Sequence, residues 1–198
     1  VRVLAGMTRK NYLENYKQGA RGIIIVGSHT DKTTKQIKKA SELDMVVPIL
    51  FEVNGKEGTE LSKESTKLSE LCSELMKQNK IPLVYTSRQV VKSTAKEQAL
   101  ERSVQISDAV QRIVANLQIK PDFVIAKGGI TSSDIATKAL DIKKAMVLGQ
   151  AAPGIPVWHL NYEARFSNTL YIIFPGNVGE EETLKQIIDN IYKAGGRT

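Results

Sequence analysis

The stretch that decides the fold is Gly22-Ile23-Ile24-Ile25-Val26, then Gly27-Ser28-His29-Thr30, then Asp31-Lys32-Thr33-Thr34-Lys35-Gln36-Ile37-Lys38-Lys39-Ala40. Four β-branched residues in a row, with no alternation of polarity, read as a strand buried on both faces. A small polar turn follows, then a segment with Ile37, Ala40 and Leu43 at helical spacing. A wholly apolar strand running through a short turn into a helix is the unit of a parallel sheet with helices packed on it.

The unit recurs. Residues 122–126 read as a strand, apolar after Asp122, followed by Lys127-Gly128-Gly129-Ile130-Thr131 and a helical pattern through Leu140. Residues 169–174 lead into Pro175-Gly176-Asn177-Val178-Gly179 and then Glu180-Glu181-Glu182 before another helix. A looser copy runs from residues 81–85 through Thr86-Ser87-Arg88 into a long helix. Thr94 and Glu97 have the spacing of a capping box for that helix, and Leu100, Val104, Val110, Ile113, Val114 and Leu117 supply its apolar face.

Further elements fit around these. Residues 8–18 read as a helix with Tyr12, Leu13 and Tyr16 on one face and Gly19 as its stop. Residues 45–53 read as a strand in which Pro48 implies an edge position or a break. Leu61, Leu68, Cys72 and Leu75 mark an amphipathic helix. Residues 145–148, 155–160 and 169–174 are strands with no helix between them, which implies antiparallel pairing. The expectation is a three-layer α/β/α fold with a mixed, mostly parallel sheet and an antiparallel carboxyl-terminal portion.

Composition narrows the function classes. The chain has 198 residues, 41% of them hydrophobic, with a single Cys72. That excludes a disulfide scaffold and an intrinsically disordered chain. No apolar run approaches the roughly 20 residues a membrane span needs. The opening Val1-Arg2-Val3-Leu4-Ala5 is too short for a signal-peptide core, so the cytoplasm is the expected compartment. The net charge is +7, and residues 1–50 hold nine Lys or Arg against four Asp or Glu. Such an excess suits a polyanion, a small phosphate ligand or an acidic neighbouring domain. Aromatic residues make up only 6%, which argues against a base-stacking platform for nucleic acid.

The loops carry the chemistry. In open α/β sheets the turns at the carboxyl ends of strands gather around one crevice. Glycines there let the backbone approach a ligand, and helix N-termini offer N–H groups to an anion. Several such loops would make a polyphosphate cradle. Each also has a plain structural reading. Thr131 reads as a helix N-cap with Asp134 completing a capping box. Lys127 reads as a solvated strand-end lysine, with a phosphate contact as the alternative. Glu180, Glu181 and Glu182 read as the first turn of a helix, with Mg²⁺ held through water as the alternative. Lys32, Lys35, Lys38 and Lys39 read as a solvated helix face, with steering of an anion into the crevice as the alternative. His29 is a candidate acid–base group, and His159 reads as packed or surface. Two isolated His and one Cys give no metal-site spacing. No P-loop, GxGxxG, HExxH or GxSxG motif occurs.

Taken in order, these motifs resemble a known family. Ile24-Ile25-Val26-Gly27-Ser28-His29 with Thr33-Thr34 and Gln36, then Tyr85-Thr86-Ser87-Arg88, Gly128-Gly129-Ile130-Thr131, Gly149 with Pro153-Gly154, and Phe174-Pro175-Gly176-Asn177-Val178-Gly179 look like the carboxyl-terminal nucleotide-binding domain of four-carbon acid sugar kinases. The resemblance covers nearly the whole chain. It implies that residues 1–198 are the nucleotide-binding half of a two-domain kinase using ATP and Mg²⁺, with threonate, erythronate or a 3-oxo acid bound by an amino-terminal domain. Residues 1–6 then look like the tail of the connection between the halves. By motif, the ATP contacts fall on Ser28, Gly128, Gly129, Ile130, Thr131 and Gly176. Many members carry an acidic or polar residue where Ile130 stands; a backbone contact survives that change. The resemblance places the acceptor's base in the other domain, so no catalytic residue is assigned. The alternatives are a phosphosugar-binding isomerase-like domain, a nucleic-acid module and a nucleotide sensor without catalysis. A homodimer is compatible with all of them.

Overall fold

A computed structural model describes residues 20–87 and 96–194. The expected helix over residues 8–18, the connection at residues 1–6, Arg88 and the Thr94 cap lie outside the described residues. Seven strands form one sheet in the order β2-β3-β1-β4-β7-β6-β5. They are β1 (Gly22–Val26), β2 (Val46–Phe51), β3 (Ile81–Thr86), β4 (Phe123–Lys127), β5 (Ala145–Ala152), β6 (Ile155–Leu160) and β7 (Leu170–Phe174). β2, β3, β1, β4 and β7 pair in parallel, whereas β6 pairs antiparallel with both β7 and β5. The three-layer expectation holds, with the antiparallel portion on the carboxyl-terminal side.

Helices cover both faces. α1 (Asp31–Ala40) and α5 (Thr183–Ala194) pack together on one side. α2 (Gly58–Lys77), α3 (Lys96–Ala115) and the short α4 (Gly129–Asp134) lie on the other, and α4 continues into a π-helical turn, Ile135–Ala139. The all-apolar run of β1 serves both layers. Ile23 and Ile25 enter the core beneath α2 and α3, while Ile24 and Val26 enter the core beneath α1 and α5. Strand periodicity therefore makes one sequence run bury two faces.

Several expectations are refined. Among the described residues β2 runs through Pro48 and pairs only with β3, so the missing N–H costs no ladder bond on its other edge. β5 extends to Ala152, beyond the expected residue 148, and turns through Pro153-Gly154. Gly154 has φ +79°, as the second central position of a type II turn requires. Leu100 and Val104 do not join the apolar face of α3; they are exposed, and burial begins at Ala109 and Val110. A 20-residue helix is about 30 Å long, whereas five- or six-residue strands span about 17–20 Å, so α3 outruns the sheet it packs on.

The topology also fixes where a ligand belongs. From β1 the chain leaves through α1 toward β2; from neighbouring β4 it leaves through α4 toward β5 on the opposite side. The crevice at the carboxyl ends of β1 and β4 is thus a switch point of the kind where α/β sheets bind ligands.

Candidate functional site

Three loops meet at that crevice: residues 27–30 after β1, 128–131 after β4, and 175–179 after β7. The ladder carries past the strand ends and holds them in register. Gly27 N–H donates to the Lys127 carbonyl (3.0 Å), and Gly128 N–H donates to the Phe174 carbonyl (2.9 Å).

The loops touch so closely that their glycines are steric requirements. A Cβ on Gly27 would lie 2.0 Å from Thr131 Oγ1, and a Cβ on Gly176 would lie 2.7 Å from Ser28 Oγ. Gly128 has φ +126°, a conformation that L side chains rarely adopt. Gly129 is different. A Cβ there meets nothing within 4 Å, and its φ is not in the positive range. Nothing in the fold demands glycine at 129; open space lies above it.

The structure brings all six sequence-predicted residues to this crevice. Ser28 is half-buried, with its Oγ 2.8 Å from Thr33 Oγ1. Gly128 is the N-cap of α4, and Gly129 and Ile130 open the helix on the exposed side. The first intrahelical bond runs from Ser132 N–H to the Gly128 carbonyl. The N–H groups of Gly129, Ile130 and Thr131 precede it and have no acceptor within the helix. Ile130 is 71% exposed, so its side chain plays no part in the core. Gly176 abuts Ser28 from the third loop.

Two structural readings are corrected. Thr131 is not an N-cap. The cap is Gly128 and no side chain caps α4, because the positive φ of Gly128 starts the helix three residues before the expected point. Asp134 instead accepts a hydrogen bond from Ser107 and pairs with Lys138 at 3.4 Å. Thr131 is 9% exposed and packs over Gly27. Lys127, expected in solvent, is fully buried at the end of β4. Its Nζ donates to the carbonyls of Pro175 (3.2 Å) and Gly176 (3.3 Å) and lies 3.8 Å from the centre of the Phe174 ring. Burial pushes its pKa down to about 8, helped by the like charge of Lys32.

Residues of α1 shape the third loop, a role the sequence reading did not assign. Thr30 caps α1 by accepting from Thr33 N–H. The hydroxyls of Thr30 and Thr33 lie 3.2 and 3.1 Å from the Gly176 carbonyl oxygen. Gln36 Nε2 donates to the carbonyls of Val178 (3.1 Å) and Glu180 (2.9 Å). Thr33, Gln36 and Ala40 are buried at helical spacing. Polar residues on the inward stripe of a helix are the signal that could have found them.

Two of the three acidic residues are paired. Glu181 meets Lys35 at 2.6 Å and Glu182 meets Lys39 at 3.2 Å, so part of the expected solvated lysine face is an ion-pair network with the segment before α5. The run precedes α5, whose first residue is Thr183; Thr183 Oγ1 accepts from Glu180 N–H. Among the described residues no group of three or more His, Cys, Asp or Glu could hold a metal ion.

A hollow of about 560 Å³ opens beside Ser28, with His29, Ile37, Leu50, Tyr85 and Thr86 in its walls. His29 Nε2 lies 2.7 Å from Thr86 Oγ1. His159 sits on β6 and is half-buried, away from the three loops. Cys72 is buried under α2 and its thiol is pushed up to about 12 by desolvation, which leaves it inert as a nucleophile.

Residues 23–184 match the family model described as the nucleotide-binding C-terminal domain. The chain belongs to this family. The nucleotide-binding domain is also similar in fold to solved structures. One is a Haemophilus influenzae protein of the DUF1537 family, 20% identical, TM-score 0.62, matched over 96% of this chain and 44% of that one. Another is a DUF1537 protein from Bordetella bronchiseptica, 13% identical, TM-score 0.61, matched over 87% of this chain and 41% of that one, and solved with bound citrate as a domain-swapped dimer. The domain thus spans less than half the length of these proteins. No curated protein matches it. Among the described residues no helix is long and apolar enough to cross a membrane.

Proposed function

We propose that this nucleotide-binding domain holds ATP for a kinase acting on four-carbon acid sugars. ATP contacts Ser28, Gly128, Gly129, Ile130, Thr131 and Gly176. The observation that carries the reading is Gly129: a Cβ there would meet nothing within 4 Å among the described residues, at the mouth of three interlocked loops, where a ligand can come against bare backbone. The residues fit a polyphosphate. The N–H groups of Gly129, Ile130 and Thr131 stand at a helix start, Ser28 offers a hydroxyl, and Lys127 adds positive charge beneath.

Phosphoryl transfer depends mostly on positioning and charge neutralisation. The loops bind and orient the phosphates, and their interlock keeps the donors from rearranging. Mg²⁺, when bound, neutralises phosphate oxygens; the phosphates and water are its ligands in this reading, since Glu181 and Glu182 are engaged by lysines. The sugar acid and the base that activates its hydroxyl belong to an amino-terminal domain of the longer protein. The Bordetella structure holds citrate, a carboxylic acid, which suits such a substrate class, and its dimer makes self-association of this domain a further expectation.

Calorimetry with ATP–Mg²⁺ tests the reading. The domain alone binds ATP at up to millimolar concentration and does not phosphorylate threonate or erythronate. No heat of binding, with Gly129→Val indistinguishable from the parent, rejects ATP; a thermal shift with sugar phosphates alone would favour a phosphosugar-binding domain. Robust kinase activity of the domain alone rejects the need for a second domain.

A further inference from the structure

Lys127 is a fully buried lysine, and among the described residues no carboxylate forms an ion pair with it. A buried ammonium is costly unless it is hydrogen-bonded or paired. Here its donors go to two successive carbonyls, those of Pro175 and Gly176, and the Phe174 ring lies under it. The Gly176 carbonyl is also approached by the hydroxyls of Thr30 and Thr33. Three donors from two elements therefore converge on one peptide.

Peptide planarity turns this into a statement about the other side of the loop. In a trans peptide the C=O and the following N–H point in opposite directions, and the described peptides are all trans. With the Pro175 and Gly176 carbonyls turned in toward Lys127, the N–H groups of Gly176 and Asn177 are turned away from it. Gly176 is half-buried against Ser28, and Asn177 is exposed. Two consecutive N–H groups facing outward form the kind of concavity that binds anions.

We propose that Lys127 is a positioning residue that acts through the Pro175–Gly176 carbonyl pair to aim the Gly176 and Asn177 N–H groups at a nucleotide phosphate. The inference rests on the nucleotide reading above and extends it to a residue that need not touch the ligand. The ammonium attracts the carbonyl oxygens; deprotonated, it loses that charge and keeps only two weaker N–H donors, and the clamp loosens. Among the described residues, α1 brings Lys32, whose like charge repels that of Lys127, and carries Asp31 in its first turn. The loop after β1 brings His29, which is turned to Thr86 on β3. The segment after β7 brings Glu180, whose carbonyl is held by Gln36. An anion bound nearby favours the protonated lysine, so binding takes up a proton above the free-state pKa of about 8.

The test compares parent, Lys127→Met and Lys127→Arg. ATP affinity is measured by calorimetry between about pH 7.5 and 9.5, and the Gly176 and Asn177 amides are followed by nitrogen-15 NMR without ligand. The expected result is binding about tenfold or more weaker in Lys127→Met, with partial rescue by Lys127→Arg. Parent affinity falls by up to about tenfold per pH unit above about pH 8, and that slope vanishes in Lys127→Met. Both amides shift near the same pH in the parent and stay still in Lys127→Met. Equal affinity and an equal pH profile in parent and Lys127→Met overturn the assignment. If the parent binds no ATP, the nucleotide reading fails by itself; the amides then decide the clamp, which stands if they titrate with Lys127 and falls if they do not. Should Lys127→Met fail to fold, Lys127→Arg, with charge retained and the titration moved beyond this range, carries the same comparison of slopes.

Discussion

The underside of the three loops and their outer lip are built on opposite principles. Beneath, every position is crowded: Thr131 fills the space over Gly27, Ser28 meets Gly176, and Lys127, Thr33 and Gln36 spend their polar groups on loop carbonyls. At the lip, Gly129 has nothing within 4 Å of a built Cβ and Ile130 is exposed. The difference teaches that close packing fixes the loops from below while the lip above is left open. Substitutions below should register first as lost stability, and substitutions at the lip as lost binding alone.

The largest effect expected is at the lip. Gly129→Val should weaken ATP binding by about a hundredfold, because its side chain occupies the space left for the ligand. Its melting temperature should match the parent; a parallel fall in stability would erase the distinction. Below, Gly27→Ala drives a methyl into Thr131 and should cost about 1–3 kcal/mol in denaturant unfolding. Adding Thr131→Ala should restore much of that loss. Independent, additive effects of the two would show that the contact is not the cause.

Gln36→Leu leaves the Val178 and Glu180 carbonyls without their donor and should cost about 1–3 kcal/mol, with ATP affinity reduced in step as the third loop loosens. A smaller signature comes from pH. The folded protein holds the Lys127 proton less tightly than the unfolded chain, whose lysine keeps the ordinary value of 10.5. The unfolded state therefore binds more protons between about pH 8 and 10.5, and stability gains a positive slope there. Subtracting a Lys127→Met titration isolates that slope; identical curves would show that the ammonium is not desolvated. The smallest effect is at the surface. The Lys35–Glu181 pair raises the lysine pKa and lowers that of the glutamate, yet both side chains are exposed. Glu181→Gln should leave the melting temperature essentially unchanged and insensitive to salt.

Much of this was legible in one dimension. The unbroken apolar runs of β1, β4 and β7 gave the parallel sheet, since a strand with no polar face must be covered twice. Pro48 marked an edge because a missing donor is tolerated only there. The loops could be picked out because glycine and hydroxyl residues at strand ends carry their signal locally; the six individual positions came from the family resemblance. Lys127 was misread because its surroundings come from other loops, and spacing along the chain says nothing of what lies across it. Thr131 was misread because the positive φ of Gly128 starts the helix earlier than the capping pattern implies.

The sequence by itself determined the layers, the strand–turn–helix units and which turns could meet a ligand, because hydrophobic period and turn chemistry are local properties. Only the tertiary structure decided which glycines are compressed and which is open. It also decided that a lysine at a strand end lies buried against two carbonyls, and that a helix on one face of the sheet holds a loop from another strand. Those outcomes depend on close approach between segments far apart in the chain, 48 residues for Lys127 and Pro175 and 143 for Thr33 and Gly176, and only a folded chain brings such segments together.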